Sequence, residues 1–379
     1  MRKFGNEELK FLFSNGILSS RDEQVYWIFS ESKLFHILGY FQLILILLKS
    51  LIRIISLATV QPTFKIKSKE KHGPGCLVIW PADLWGGFSA SYLPIEILDG
   101  NYSVLIWKKK KNNFDLKSTL EHLKLTVLLL KYLLKINDFS HKMAYVTWVF
   151  TSQPIFLLNS LIELEKIVKE RCISSSSPQS LFYPFEFYPE ARLVYYCAQK
   201  LSMEALSAQH MSWTVGKISN FVSPNDDTAK PDKLYLSHYQ DKDVFCGHVK
   251  ETVPQEHVGR FDTLLNKTLE IHEHVGESLN VVLCSGSPYD INRSIEFVVR
   301  LRKSRDEKPS KLVLHPNLNS NLKFLVILIC KIRRVHYQFG FDHKLSSQSV
   351  VFTCGTSLLE SLKNTSFRVK NIGGYNSQF

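Results

Sequence analysis

Residues 76–107, CLVIWPADLWGGFSASYLPIEILDGNYSVLIW, hold the pattern that decides the fold. Five successive apolar residues, Cys76 to Trp80, fit a strand buried on both faces, since a half-exposed strand would alternate apolar with polar. Pro81 to Gly87 reads as a loop, a helix-like stretch runs on through Leu98, Gly100 marks a turn, and 102–107 is the next strand. Strand, glycine loop, helix and strand in that order build a parallel sheet. The pattern returns toward the carboxyl end. There a strand at 280–284 (NVVLC) meets the tight loop Ser285-Gly286-Ser287 and a helix over 292–303. A strand at 311–314, an apolar helix over 322–330, a strand at 350–353 and a helix over 357–363 follow. Between the two halves, 190–208 reads as one helical run, 234–236 as a short strand, and 241–260 as an interdomain stretch. The expected fold is α/β, with two Rossmann-like domains facing across a cleft and an N-terminal hydrophobic, amphipathic helical segment before them. The expected boundaries are 1–71, 72–261 and 262–379, with Lys65 to Lys71 as a basic linker.

The 379 residues are 45% hydrophobic, 22% charged and 12% aromatic, which suits globular domains and not a disordered chain or a solenoid. Forty-seven Lys and Arg against 35 Asp and Glu leave a net charge of +12, which favours phosphorylated substrates or an anionic membrane surface. Nucleic acid is not an expected partner, because the basic residues are dispersed and no zinc, RRM or helix-turn-helix signature occurs. The seven cysteines (76, 172, 197, 246, 284, 330, 354) form no CxxC pair, and charges at Glu7, Glu8, Lys10, Arg21, Asp22 and Glu23 interrupt any signal peptide. Both features point to the cytoplasm. Residues 34–60 (LFHILGYFQLILILLKSLIRIISLATV) are the most hydrophobic stretch, and on a helix Gln42, Lys49, Arg53 and Ser56 would form one polar stripe. Such a helix suits the plane of an anionic membrane; a core helix and a true span are the alternatives. Residues 119–136 repeat the pattern, with Glu121, Lys124, Lys131 and Lys135 along one face, after the cluster Lys108 to Lys111. A solvated helix face and lipid contact both fit them. The expected location is the inner face of the cytoplasmic membrane, as a peripheral protein.

Three polar loops follow strands in the carboxyl half: Ser285-Gly286-Ser287, His315-Pro316, and Gly355-Thr356-Ser357 after Cys354. In an open α/β sheet they gather at one rim, where ligands bind. Gly355 lets backbone approach a phosphate, and the hydroxyls and amides of Thr356 and Ser357 would open a helix, a ready anion site. Ser357 also fits a plain N-cap. In the amino half, Glu186 follows a short apolar run and suits a general base toward an acceptor hydroxyl, or simply a helix-start carboxylate. His210 competes for the same role. Asp83, Gly86 and Gly87 form a loop suited to acceptor contacts, or an ordinary βα turn. No D-x-D follows a buried strand, and His272-Glu273-His274 reads as a solvated pair, so no metal site is expected. P-loop, dinucleotide and G-x-S-x-G hydrolase motifs are missing.

Taken in order, Tyr183-x-x-Glu186, Gln209-His210, Pro231-Asp232-Lys233, the glycine loop at 285–287, His315-Pro316 and Gly355-Thr356-Ser357-x-x-Glu360 resemble a known family. The order is similar to that of bacterial surface-carbohydrate glycosyltransferases of GT-B type, above all those using CMP-activated ulosonic acids, the sialic acid and Kdo transferases. The resemblance covers about residues 180–365. It implies transfer of a sugar from a CMP-linked donor to a glycan or lipid-linked glycan acceptor in capsule or lipopolysaccharide synthesis. It also implies that His315, Thr356 and Ser357 contact CMP, that an acidic residue of the amino domain is catalytic, and that no cofactor is needed beyond the nucleotide sugar. A UDP-hexose transferase and a non-catalytic scaffold of a polysaccharide assembly complex are the alternatives.

Overall fold

The computed structural model describes residues 4–15, 40, 44–45, 47–48, 60–67, 75–85, 87–90, 93–111, 116–151, 153–172, 178–184, 189–209, 229–236, 249–254, 278–284, 286–304, 308–315, 318, 320–340, 348–354 and 368–372. They belong to two compact units, whose described parts run from Phe4 to Pro254 and from Ser278 to Ile372.

The first unit is built on a seven-stranded sheet of β1 (Val60–Lys67), β2 (Cys76–Pro81), β3 (Tyr102–Lys111), β4 (Ser180–Tyr183), β5 (Glu204–Ala208), β6 (Lys233–Leu236) and β7 (Glu251–Pro254). The spatial order is β1-β3-β2-β4-β5-β6-β7, and only β1 runs antiparallel to its neighbour. The apolar run of β2 divides as its period of two requires. Leu77 and Ile79 join one core cluster, while Cys76, Val78 and Trp80 join the other. The larger cluster is covered by α1 (Asn6–Asn15), α4 (Leu116–Leu130), α5 (Phe139–Val149), α6 (Gln153–Cys172) and α7 (Pro189–Lys200). Two short helices, α2 (Ala82–Trp85) and α3 (Ile95–Asp99), precede β3. Helix α1 buries Leu9, Leu12 and Phe13, three and four residues apart, so its apolar stripe meets the core. Phe11 lies 4.5 Å from the Tyr196 ring and Phe13 4.8 Å from that of Tyr132.

The second unit holds β8 (Asn280–Cys284), α8 (Pro288–Lys303), β9 (Ser310–Leu314), α9 (Ser320–Arg333), β10 (Tyr337–Phe339), β11 (Val350–Cys354) and β12 (Arg368–Asn371). Its sheet is parallel throughout, in the order β10-β9-β8-β11-β12. Helix α9 buries Leu322, Leu325, Val326, Ile329 and Cys330, a helical spacing that matches the apolar run. Five cysteines, 76, 197, 284, 330 and 354, are buried and carry free thiols.

The α/β class is present in both units, and several sequence expectations change. The run 190–208 is not one helix. Helix α7 stops at Lys200, Ser202 adopts a left-handed φ of 56°, and the Met203 amide donates to the Ala198 carbonyl at 2.9 Å. Beyond that turn the chain enters the sheet as β5, where Ala205 to Ala208 are buried. Residues 65–67 are no linker but the end of edge strand β1, whose exposed Lys65 discourages further pairing. Residues 251–254 extend the first sheet rather than join domains, because β7 lies beside β6 in parallel register. In place of the long helix expected after Gly87, helix covers only Ile95–Asp99 within the described residues of that stretch. The helical reading of 34–60 lies mostly outside the described residues; positions 40, 44, 45, 47 and 48 are helical and Val60 opens β1. No helix of the described residues is long and apolar enough to cross a membrane.

Candidate functional site

An open parallel sheet binds ligands where its strand order reverses, at the carboxyl ends of the two strands that diverge there. In the first unit the chain goes from β2 outward to β3, then returns to place β4 on the other side of β2. The switch point is therefore the rim beyond β2 and β4. Asp83 follows β2 directly, and Glu190 stands in the first turn of α7, just after β4. Lys109, near the end of β3, ties the two together. Its amide donates to the Asp83 carboxylate, and its ammonium lies 3.4 Å from Glu190 Oε1. Gln153 Nε2 donates to the same Glu190 oxygen at 2.9 Å.

Each of these side chains is held from behind. Lys109 Nζ sits 4.8 Å from the centre of the Phe156 ring, which stacks on Trp107 at 5.7 Å. Gln153 opens α6, and its amide donates to Thr151 Oγ1 at 3.2 Å. The Thr151 carbonyl accepts from His122 Nε2 of α4 at 2.9 Å. Burial holds the His122 imidazole below its ordinary pKa, against a smaller upward pull from that carbonyl. Glu190 itself is only 8% exposed, close to the positive end of the α7 dipole. One carboxylate oxygen is fixed by two donors, and Oε2 makes no hydrogen bond among the described residues. A carboxylate oriented in this way can accept a proton from a hydroxyl brought to the rim. Two residues further on, Arg192 is wholly buried, and loss of water pushes its guanidinium down to about 10.

In the second unit the order reverses at β8, the first strand, which has β9 on one side and β11 on the other. Cys284 and Cys354 are register partners there. Cys354 Sγ donates to the buried Asp290 Oδ1 at 3.7 Å, and burial raises both thiols well above their ordinary values. Above them Gly286 leads to Ser287, which stands at the N-cap of α8 without a side-chain capping bond, and Pro288 fills the first turn where no N–H is needed. A Cβ on Gly286 would meet the Leu318 side chain at 3.6 Å, an ordinary contact. His315 is exposed at the end of β9, beside β8.

Asp83 and Gly87 thus lie beyond β2, and a Cβ on Gly87 would meet nothing within 4 Å. Gly286, Ser287 and His315 lie at the ends of β8 and β9. Glu186, His210, Gly86, Ser285, Pro316, Gly355, Thr356 and Ser357 lie outside the described residues. Gln209, which precedes His210 in sequence, is buried and donates its amide to the Tyr235 carbonyl at 2.8 Å, continuing the β5–β6 ladder. Lys109 and Gln153 were not singled out as site residues from sequence. Lys109 is one member of a basic run, and no motif marks Gln153. Among the described residues no group of three or more His, Cys, Asp or Glu could hold a metal ion. No protein-family model matches the chain, and a search of curated proteins finds no match.

Proposed function

We propose that this chain is a glycosyltransferase of cell-surface polysaccharide or lipopolysaccharide synthesis, with its two α/β units in a GT-B arrangement at the inner face of the cytoplasmic membrane. The donor is a nucleotide sugar, a CMP-activated ulosonic acid by the resemblance of its motifs. The observation that supports this reading is what stands at the switch point of each unit: a braced carboxylate in the first, and in the second the start of α8 and a histidine at the end of the adjacent strand. In the reaction the acceptor hydroxyl attacks the anomeric carbon, the carboxylate takes its proton, and CMP leaves with the bonding pair. Glu190 is the base, with Glu186, four residues earlier in sequence, as its rival. Amides at the start of α8, together with His315, Thr356 and Ser357, neutralise the departing phosphate.

Calorimetric titration of the full chain with CMP, CDP, UDP and GDP tests the donor assignment, with CMP expected to bind most tightly. A preference for UDP would identify a UDP-hexose transferase. Absence of binding by all four nucleotides would leave only the scaffold reading. His315→Ala should weaken CMP by about 1–3 kcal/mol through loss of a charge-assisted hydrogen bond. Glu190→Gln should lower transfer by about 10²–10⁴-fold while CMP affinity stays as it was. Full turnover in that variant would remove Glu190 from the chemistry.

A further inference from the structure

Helix α4 buries Thr119, Leu125, Thr126 and Leu129 toward the core of the first unit. Its outer side carries a second apolar line. Leu116, Leu120, Leu123 and Val127 follow at spacings of four, three and four, which at 3.6 residues per turn keeps them within an arc of about 60°. Leu134, on the 3-10 continuation Lys131–Lys135, extends that end of the element. These side chains are open to solvent, from 40% exposure at Leu123 to 88% at Leu134. A helix needs one apolar stripe to join a globular core, and α4 has two.

Charge selects the occupant. Lys117, Lys124 and Lys131 recur every seven residues along one border of the exposed stripe, and Lys135 closes it. Glu121 is the single acidic residue from 116 to 135. We propose that this face docks in the plane of an anionic lipid bilayer, with its leucines at the acyl boundary and its lysines among the lipid phosphates. An apolar strip edged by lysines is the form that interfacial helices take. A second copy is a poorer partner, since pairing the same face about a two-fold axis would bring lysine borders together with one glutamate per chain to offset them. Nothing here depends on the glycosyltransferase reading.

The test is co-sedimentation of the full chain with vesicles of phosphatidylcholine alone or mixed with phosphatidylglycerol. The native chain should bind the mixed vesicles and be released as salt rises. Leu120→Glu with Val127→Glu should lower the partition coefficient at least about tenfold, with an unchanged melting temperature because both side chains are exposed. Leu134→Glu alone should weaken binding in the same direction. Lys117→Ala, Lys131→Ala and Lys135→Ala together should abolish the preference for phosphatidylglycerol. Undiminished binding by the double glutamate variant overturns the proposal, as does a native chain that binds neither vesicle. A dimer in sedimentation velocity that the same variant dissociates, with vesicle binding unchanged, would give the face to a second copy instead.

Discussion

Lys109 and Gln153 both hold Glu190 Oε1, and so aim the carboxylate on which the proposed chemistry turns. The brace begins further back, at His122, whose Nε2 holds the turn that precedes Gln153. Because burial lowers the folded-state pKa of His122, its effect on stability has a definite sign. Above the ordinary value of 6.5 both folded and unfolded chains keep the ring neutral, and nothing is lost. As pH falls through that value the unfolded chain takes up a proton that the folded chain refuses, so stability drops until the folded pKa is reached. Urea midpoints measured from neutral pH into the acid range should therefore decline. The decline should be smaller in His122→Gln, which can still donate to Thr151 but cannot titrate. An identical decline in both proteins would assign the proton uptake to other histidines.

At the scale of elements, the strands that were legible were those with runs of large apolar residues. CLVIW at 76–80 and NVVLC at 280–284 are buried on both faces and permit no other reading. Strand β5, EALSA, was not legible, because glutamate, alanine and leucine suit a helix and the preceding helix seemed to run on through them. Only the left-handed turn at Ser202 and the room left beside β4 make it a strand. Strand β1 was hidden differently: its alternating lysines look like a solvated linker until β3 supplies the partner. The rim positions of Asp83, Gly286 and His315 followed from the strands they terminate. Glu190's partners did not, since Gln153 and Lys109 arrive from elements 37 and 81 residues away in sequence. Where elements meet, Gly75 makes a sharper test. A Cβ there would lie 2.2 Å from the Asn101 carbonyl oxygen, while the Gly75 carbonyl accepts from the Gln179 amide at 2.9 Å. Gly75→Ala must part β2 from the turn before β3, and it should cost about 1–3 kcal/mol in urea unfolding. Unfolding at the native midpoint would show that the Asn101 turn yields freely.

Over the whole molecule, two sheets with separate cores divide the proposed labour: a carboxylate on one and an anion-binding helix start on the other. Substitutions at Glu190 and His315 should therefore separate cleanly, the first changing turnover and the second changing nucleotide affinity. The buried thiols give this division a clock. A thiol reacts with an alkylating reagent as its thiolate, and burial pushes Cys76 and Cys330 up to about 12 and raises Cys284 and Cys354 as well, while Cys197 is shielded by burial, so the folded chain is slow to react at these positions. Labelling then waits for local or global opening and reports its frequency. Cys76 and Cys197 record the seven-stranded unit, and Cys284, Cys330 and Cys354 the five-stranded one. The smaller sheet buries less on folding, so its three cysteines should be modified first and at a common rate. Pulsed alkylation read by mass spectrometry would expose the reverse order just as plainly, and either order would show which half of the protein breathes when no ligand is bound.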